Sequence, residues 1–180
     1  MGLIGKGDAK ALELLVARHQ HAVYNLALRF LGDSDEAEDV TQDTFIRIYK
    51  AASTYTPEAK FTTWLYTIVR NLCFNVLRTR RQAVIVSVDD ETLPELPDRN
   101  EDQIARISGE QLSERVRHAV GRLPDNMRLA VVLSKYHGLA YDEIAGIMGC
   151  SVNAVKLRVY RAKAILAEEL SDLRDETRGS

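Results

Sequence analysis

Cysteine occurs only twice in this 180-residue chain, as Cys73 and Cys150. The two lie far apart, so neither a disulfide framework nor a cysteine metal site is written into the sequence, and a reducing, cytosolic compartment is the natural inference. Four prolines and few aromatics leave little turn chemistry inside the periodic segments. Period-two alternation is scarce, which excludes a sheet-based fold and predicts an all-α one. No apolar run approaches the roughly 18 residues of a membrane span, and no charged-then-apolar leader opens the chain, so membrane insertion is not expected. The start MGLIGK carries Lys6 where a myristoylation site wants Ser or Thr. Glycine-rich phosphate loops are missing. His19 and His21 sit two apart on a helix and face opposite ways, while His118 and His137 lack ligand-spaced partners. An enzyme with a metal or cofactor is therefore not the expectation.

The net charge of -2 argues against a general nucleic-acid coat, but the charge is segregated. Residues 60–88 hold Lys60, Arg70, Arg78, Arg80 and Arg81 with no acid, and residues 144–167 hold Lys156, Arg158, Arg161 and Lys163 with none. Two local basic surfaces on an acidic chain suggest two specific contacts with a polyanion.

Asp8 is placed to cap a helix that keeps apolar spacing to Leu31 and stops at Gly32. Asp33 or Ser34 can cap a second helix running to about Lys50, with Ala37, Val40, Thr44, Phe45 and Ile48 inward. Its outer face collects Asp39, Gln42, Asp43, Arg47 and Lys50 around Ile46. That is either a small protein-docking patch or a solvated face with one exposed apolar residue.

The stretch from Phe61 to Arg81, FTTWLYTIVRNLCFNVLRTRR, organises the first half. Wound at 100° per residue, it sets Phe61, Trp64, Leu65, Ile68, Val69, Leu72 and Val76 on a core side. Lys60, Thr63, Thr67, Arg70, Asn71, Asn75, Arg78 and Arg81 fall on the other side, with Phe74 among them. Cations neutralise phosphates and aromatic faces accept unstacked bases, so single-stranded nucleic acid fits this face. The alternative is a solvated face whose one aromatic meets a neighbouring helix.

Residues 82–110 are acidic, carry Pro94 and Pro97 and show no helical face, so they read as an extended, flexible linker; Val84–Val88 could be a strand or an apolar segment packed on another surface. A second helical unit begins near Gln111. Within it, helix Tyr141–Met148, the turn Gly149–Cys150–Ser151 and a longer helix from Val152 make a helix-turn-helix. Ala145 permits a close crossing, Gly149 supplies the turn and Ser151 the cap. Asn153, Lys156, Leu157, Tyr160 and Arg161 project outward like the contacts of a DNA-recognition helix. Arg158 points elsewhere, towards an acid or a backbone phosphate. A helical hairpin with solvated cations is the competing reading.

Taken together, the chain resembles a bacterial RNA polymerase sigma factor of the extracytoplasmic-function (ECF) group. DEAEDVTQDTFIRIYKA is similar to that family's polymerase-clamp segment, the stretch from Phe61 to Arg81 to its -10-reading and melting helix, and the segment from Leu123 to Leu166 to its -35-reading domain. The resemblance implies two small helical domains joined by the linker: residues 1–81 as region 2, residues 82–110 as linker, and residues 111–180 as region 4. It implies core polymerase, promoter DNA and an anti-sigma factor as partners, and no catalytic residues. Clamp contacts would fall on Asp39, Gln42, Asp43 and Ile46. A flipped base of the -10 strand would meet Ala51, Tyr55, Ile68 and Asn71, with Lys60, Arg70, Phe74, Asn75, Arg78 and Arg81 along the same element. The -35 duplex would meet Asn153, Lys156, Leu157, Arg158, Tyr160 and Arg161. The chain departs from the family where Leu157 stands for a small hydroxyl residue, Ala154 for Thr and Ala140 for a Ser cap, which bears on the -35 sequence read and not on the mode of binding.

Three rival functions remain on the residues alone. A dimeric helix-turn-helix regulator leaves Asp35–Arg81 unexplained. A sigma mimic that sequesters an anti-sigma factor has no need of Arg70, Arg78, Lys156 and Arg161. A hydrolase built on the acidic helix would lack a pocket.

Overall fold

The computed structural model describes residues 1–58, 60–89 and 109–171, and every regular element among them is helical. A short 3-10 turn, Ile4–Lys6, precedes α1 (Ala9–Leu31), α2 (Ser34–Ala51) and α3 (Phe61–Asp89). The second half holds α4 (Gly109–Arg122), α5 (Asp125–Val131), a π-helical turn Val132–Tyr136, α6 (Tyr141–Met148) and α7 (Val152–Glu169).

The helix ends follow from local chemistry. The Asp8 carboxylate accepts from Ala11 N at 3.0 Å, and Gly32 closes α1 at φ 76° with its N–H on Leu28 O. Asp33 accepts from the amides of Asp35 and Glu36 at 2.9 and 3.0 Å, satisfying donors that the first turn of α2 leaves open. Thr44, buried among apolar neighbours, donates its hydroxyl to Val40 O at 2.7 Å, so its oxygen carries no desolvation penalty.

The expectation that the linker starts at Gln82 is corrected: α3 continues to Asp89, and the backbone at Val84–Val88 is helical and not a strand. Residues 78–88 contain neither Gly nor Pro to stop the helix, so it propagates. The expected character of residues 90–108 and of the tail 172–180 lies outside the described residues.

Val23, Leu26, Phe30, Ile48, Leu65 and Val69 fill the space between α1, α2 and α3. Leu129, Leu133, Ile144, Ile147, Val155 and Val159 do the same for α5, α6 and α7. Each such side chain contributes roughly 1.5–3 kcal/mol of burial. The two sets join into one continuous apolar cluster, because α3 lies directly against α6. The two helices meet at Gly146, where even a Cβ would sit at ordinary van der Waals distance, 3.4 Å, from Thr63 Cγ2. Cys73 is buried in this cluster, and burial pushes its thiol pKa up to about 12. No helix among the described residues is long and apolar enough to cross a membrane.

Candidate polymerase and nucleic-acid interfaces

On α2, all four residues expected at the clamp face are exposed: Asp39, Gln42, Asp43 and Ile46. Ile46 is 48% exposed, and beside it a shallow groove between α1 and α2 is lined by Val16, Gln20, Thr41, Gln42 and Phe45. Tyr49, 56% exposed, stands one turn further along the same row and was missed by sequence reasoning. Its spacing of three from Ile46 is the signal that places it there.

The face of α3 is less uniform than its helical wheel. Asn71, Asn75, Arg78, Arg81 and Lys60 are exposed, whereas Arg70, Ile68, Phe74 and Ala51 are half-buried. Phe74 is half-buried: its ring packs on Phe30 with centroids 5.3 Å apart, and the Arg70 guanidinium lies 5.6 Å from the Phe74 ring centroid. Phe74 is thus the aromatic that meets a neighbouring helix, not an open platform for bases. Arg70 Nη1 donates to Asn71 Oδ1 at 3.3 Å, which orients the Asn71 amide. Tyr55 packs against Trp64 with ring centroids 4.7 Å apart and planes tilted by 52°, and Phe61 completes the aromatic group at 5.9 Å from Trp64. The loop before α3 is therefore pinned to the helix, with one side of the Tyr55 ring already occupied. Trp64 and Asn71 are two turns apart on α3, about 10 Å along its axis, so Tyr55 and Asn71 bracket a stretch of the helix and do not touch. Arg80 is not part of the outward basic row: it donates Nε to Glu36 Oε1 at 2.7 Å and Nη1 to Leu31 O at 3.3 Å, tying α3 to the end of α1.

In the second unit, Gly149 adopts φ 62° and Ser151 Oγ accepts from Ala154 N at 3.2 Å, giving the expected turn and cap. Ala140 has no side chain to cap α6, and Glu143 reaches back instead to accept from Ala140 N at 3.2 Å. Val155, Val159 and Ala162 are buried, so α7 turns Asn153, Lys156, Leu157, Tyr160 and Arg161 outward, Tyr160 at 73% exposure. Arg158 does not join them. It is half-buried, with Nη1 3.0 Å from Cys150 Sγ, and braces the turn.

Charges also meet across the two halves. Lys60 Nζ pairs with Glu143 Oε1 at 2.8 Å and Arg81 Nη2 with Asp125 Oδ2 at 2.5 Å. The hydrogen bond to Glu143 raises the Lys60 pKa, and the bond from Lys60 lowers that of Glu143. Tyr66 faces His137, their rings 5.4 Å apart. Among the described residues, no group of three or more His, Cys, Asp or Glu side chains is placed to hold a metal ion.

The Sigma-70 region 2 family profile matches residues 15–83, and the Sigma-70, region 4 profile matches residues 113–166. The RNA polymerase sigma-H factor of Pseudomonas aeruginosa is 34% identical over 177 residues, covering 94% of this chain and 91% of that protein. The ECF RNA polymerase sigma-E factor of Escherichia coli K12 is 35% identical over 178 residues, covering 94% and 92%. Among solved structures, CnrH in complex with the cytosolic domain of CnrY matches with a TM-score of 0.70 at 27% identity over 94% of each chain. The sigma factor RpoE of Bartonella quintana, in complex with the anti-sigma factor NepR, matches with a TM-score of 0.72 at 25% identity over 91% of this chain and 98% of that one. The chain, matched along nearly its whole length, belongs to the ECF group of the sigma-70 family of RNA polymerase sigma factors, which are transcription initiation factors and not enzymes.

Proposed function

We propose that this chain docks on core RNA polymerase through α2 and directs it to promoters by reading a duplex -35 element with α7 and a melted -10 strand with α3. Residues 1–81 carry docking and strand capture, residues 111–180 carry upstream recognition, and residues 82–110 connect them, with the helical part of that connection reaching Asp89. Asp39, Gln42, Asp43 and Ile46 form the docking row, extended by Tyr49. Asn71, Asn75, Arg78 and Arg81 hold the strand, and Tyr55 stacks on the captured base with its free side. Asn153, Lys156, Leu157, Tyr160 and Arg161 enter the major groove.

The observation that carries this reading is the occurrence in one chain of two helices with outward cationic rows, α3 and α7, beside a third helix whose exposed apolar residue is ringed by acids. Cations hold phosphate, and the apolar patch suits protein. Position and strand separation are the whole task, because the polymerase performs the chemistry. The structural relatives bound to inhibitory partners support an anti-sigma factor as a further partner of this chain. The site of action is the cytoplasm, where the polymerase is. Run-off transcription with purified core polymerase on a promoter library tests the proposal: a shared -35/-10 pair among the selected templates is expected, and no sequence-selective transcript overturns it.

A further inference from the structure

We infer that Gly5 is a positioning residue for -10 recognition: the bare backbone of the 3-10 turn before α1 sets where the segment from Ala51 to Tyr55 lies, and with it the place where a captured base is received. The inference rests on the promoter-reading function proposed above and adds to it a residue that touches no nucleic acid itself.

The approach is backbone to backbone. A Cβ built on Gly5 would stand 2.6 Å from Ala52 O and 3.0 Å from both the Ala52 carbonyl carbon and Ser53 Cα. Carbon atoms rest against one another at about 3.5–4.0 Å, so not even a methyl group fits between the turn and this segment. None of these atoms belongs to a flexible side chain that could swing aside. Gly5 is therefore needed for space. Gly7, at φ 86° and with nothing within 4 Å of a built Cβ, serves the entry into α1 by its conformation instead.

Of the two partners, the turn is the firmer. Ile4 is 3% exposed, and main-chain bonds close the turn from Gly5 N to Met1 O at 2.9 Å, Gly7 N to Ile4 O at 2.9 Å and Asp8 N to Leu3 O at 3.1 Å. It rests on both α1 and α2. Beyond Ala52, Ser53 and Thr54 are exposed, and Thr54 reaches back to Ala51 O through its N at 3.1 Å and its Oγ1 at 3.3 Å. Tyr55 follows directly and packs against Trp64, with Phe61 beside it. The segment is thus seated at two points, on the Gly5 backbone at one end and on Trp64 at the other. An atom added at the first point displaces the segment, and the Tyr55 ring then shifts on its seat. Base stacking depends on where the ring stands, so the shift should change which base is preferred as well as how firmly it is held.

Holoenzyme reconstituted from core polymerase and full-length chains provides the test, on four templates that differ only at the -10 position of strongest wild-type preference. Permanganate reactivity reads opening. The emission of Trp64, the one tryptophan of the chain, reads the seat of Tyr55 in the free protein. Gly5→Ala is expected to move that emission to longer wavelength well below its melting transition. It should slow opening on the preferred template by about tenfold, the scale of one forfeited base stack, and narrow the spread among the four. Its preference at -35 should stay that of the wild type. Gly2→Ala, the same substitution where a Cβ meets nothing within 4 Å, should match the wild type throughout. Unchanged Trp64 emission or an unchanged spread in Gly5→Ala overturns the inference, and so does an equal loss on all four templates, which would mark Gly5 as structural alone. Should Gly5→Ala fail to fold, Ile4→Val loosens the turn without adding an atom and should move both readouts the same way by less; no movement overturns the inference. Failure of the parent reading looks different: wild-type holoenzyme would show no base preference at any -10 position.

Discussion

Arg128 donates Nη1 to the carbonyl oxygen of Phe30 at 2.8 Å, so a side chain of the second unit caps the C-terminal end of α1 in the first. The same guanidinium gives Nη2 to Leu123 O at 3.1 Å and lies 5.5 Å from the centroid of the Phe30 ring. Carbonyls in the last turn of a helix lack intrahelical donors, and a cation there also meets the negative end of the helix dipole. Burial lowers the Arg128 pKa, with Asp125 opposing that effect, and the group remains charged.

Arg128→Met should therefore destabilise the chain by about 2 kcal/mol, the scale for losing hydrogen bonds from a charged donor and leaving their acceptors open. Urea unfolding measures this. An unchanged midpoint would show that water replaces the guanidinium at no cost.

Ile46→Glu should abolish co-purification with core polymerase while circular dichroism stays at the wild-type level, because the side chain is half exposed and packs little. Tyr49→Ala should weaken the same binding more mildly. Retention of wild-type core binding by Ile46→Glu would remove α2 from the docking assignment.

For the -10 strand, Asn71→Ala should slow open-complex formation and change the base preferred at one position. Stacking is worth about 1–3 kcal/mol per base, so Tyr55→Ala should cost a comparable amount in promoter opening. Because Tyr55 also packs on Trp64, that variant should in addition lower the melting temperature, which Asn71→Ala should not. Permanganate reactivity of unpaired thymines near -10 is the measurement, and wild-type reactivity in the double variant would refute base capture.

Upstream, Arg161→Ala should lose about 1–3 kcal/mol and relax preference at one -35 position if it makes a base contact, whereas Lys156→Ala should lower the salt slope by about one if it holds a phosphate. Arg158→Ala should act through stability instead, since its guanidinium is spent on the turn at Cys150. Binding titrations across salt concentrations separate the three.

Acidification should loosen the contact between the halves. Burial, then the charge of Arg29, lowers the pKa of His137 below its ordinary 6.5. The unfolded chain thus takes up a proton that the folded one refuses, and stability present above about pH 6.5 falls as the pH drops towards the depressed folded value. His19, also lowered mainly by burial, adds in the same direction. His137→Gln should flatten part of this dependence in melts between pH 7 and about pH 5; an unchanged slope would assign it elsewhere.

Local chemistry made much of this legible in advance. Asp8, Gly32, Asp33, Gly149 and Ser151 act within a few residues of themselves, and each sits where its backbone role predicted. The end of α3 was not legible, because an aperiodic acidic run masked a segment with nothing in it to break a helix. Phe74 shows a second limit: a wheel sorts one helix against an average environment and cannot see that Phe30 stands on the polar side. The packing of the halves joins residues as far apart as Lys60 and Glu143, a pairing that no periodicity encodes.

Cys73 gives the molecule an internal clock. A thiol with a pKa near 12 presents almost no thiolate at neutral pH and is shielded from reagents as well. The half-exposed Cys150 should react promptly with a maleimide, and Cys73 only as often as the core around it comes apart. The slow phase of alkylation would then count global opening events directly in the unmodified chain, at concentrations and salt conditions where transcription itself is assayed.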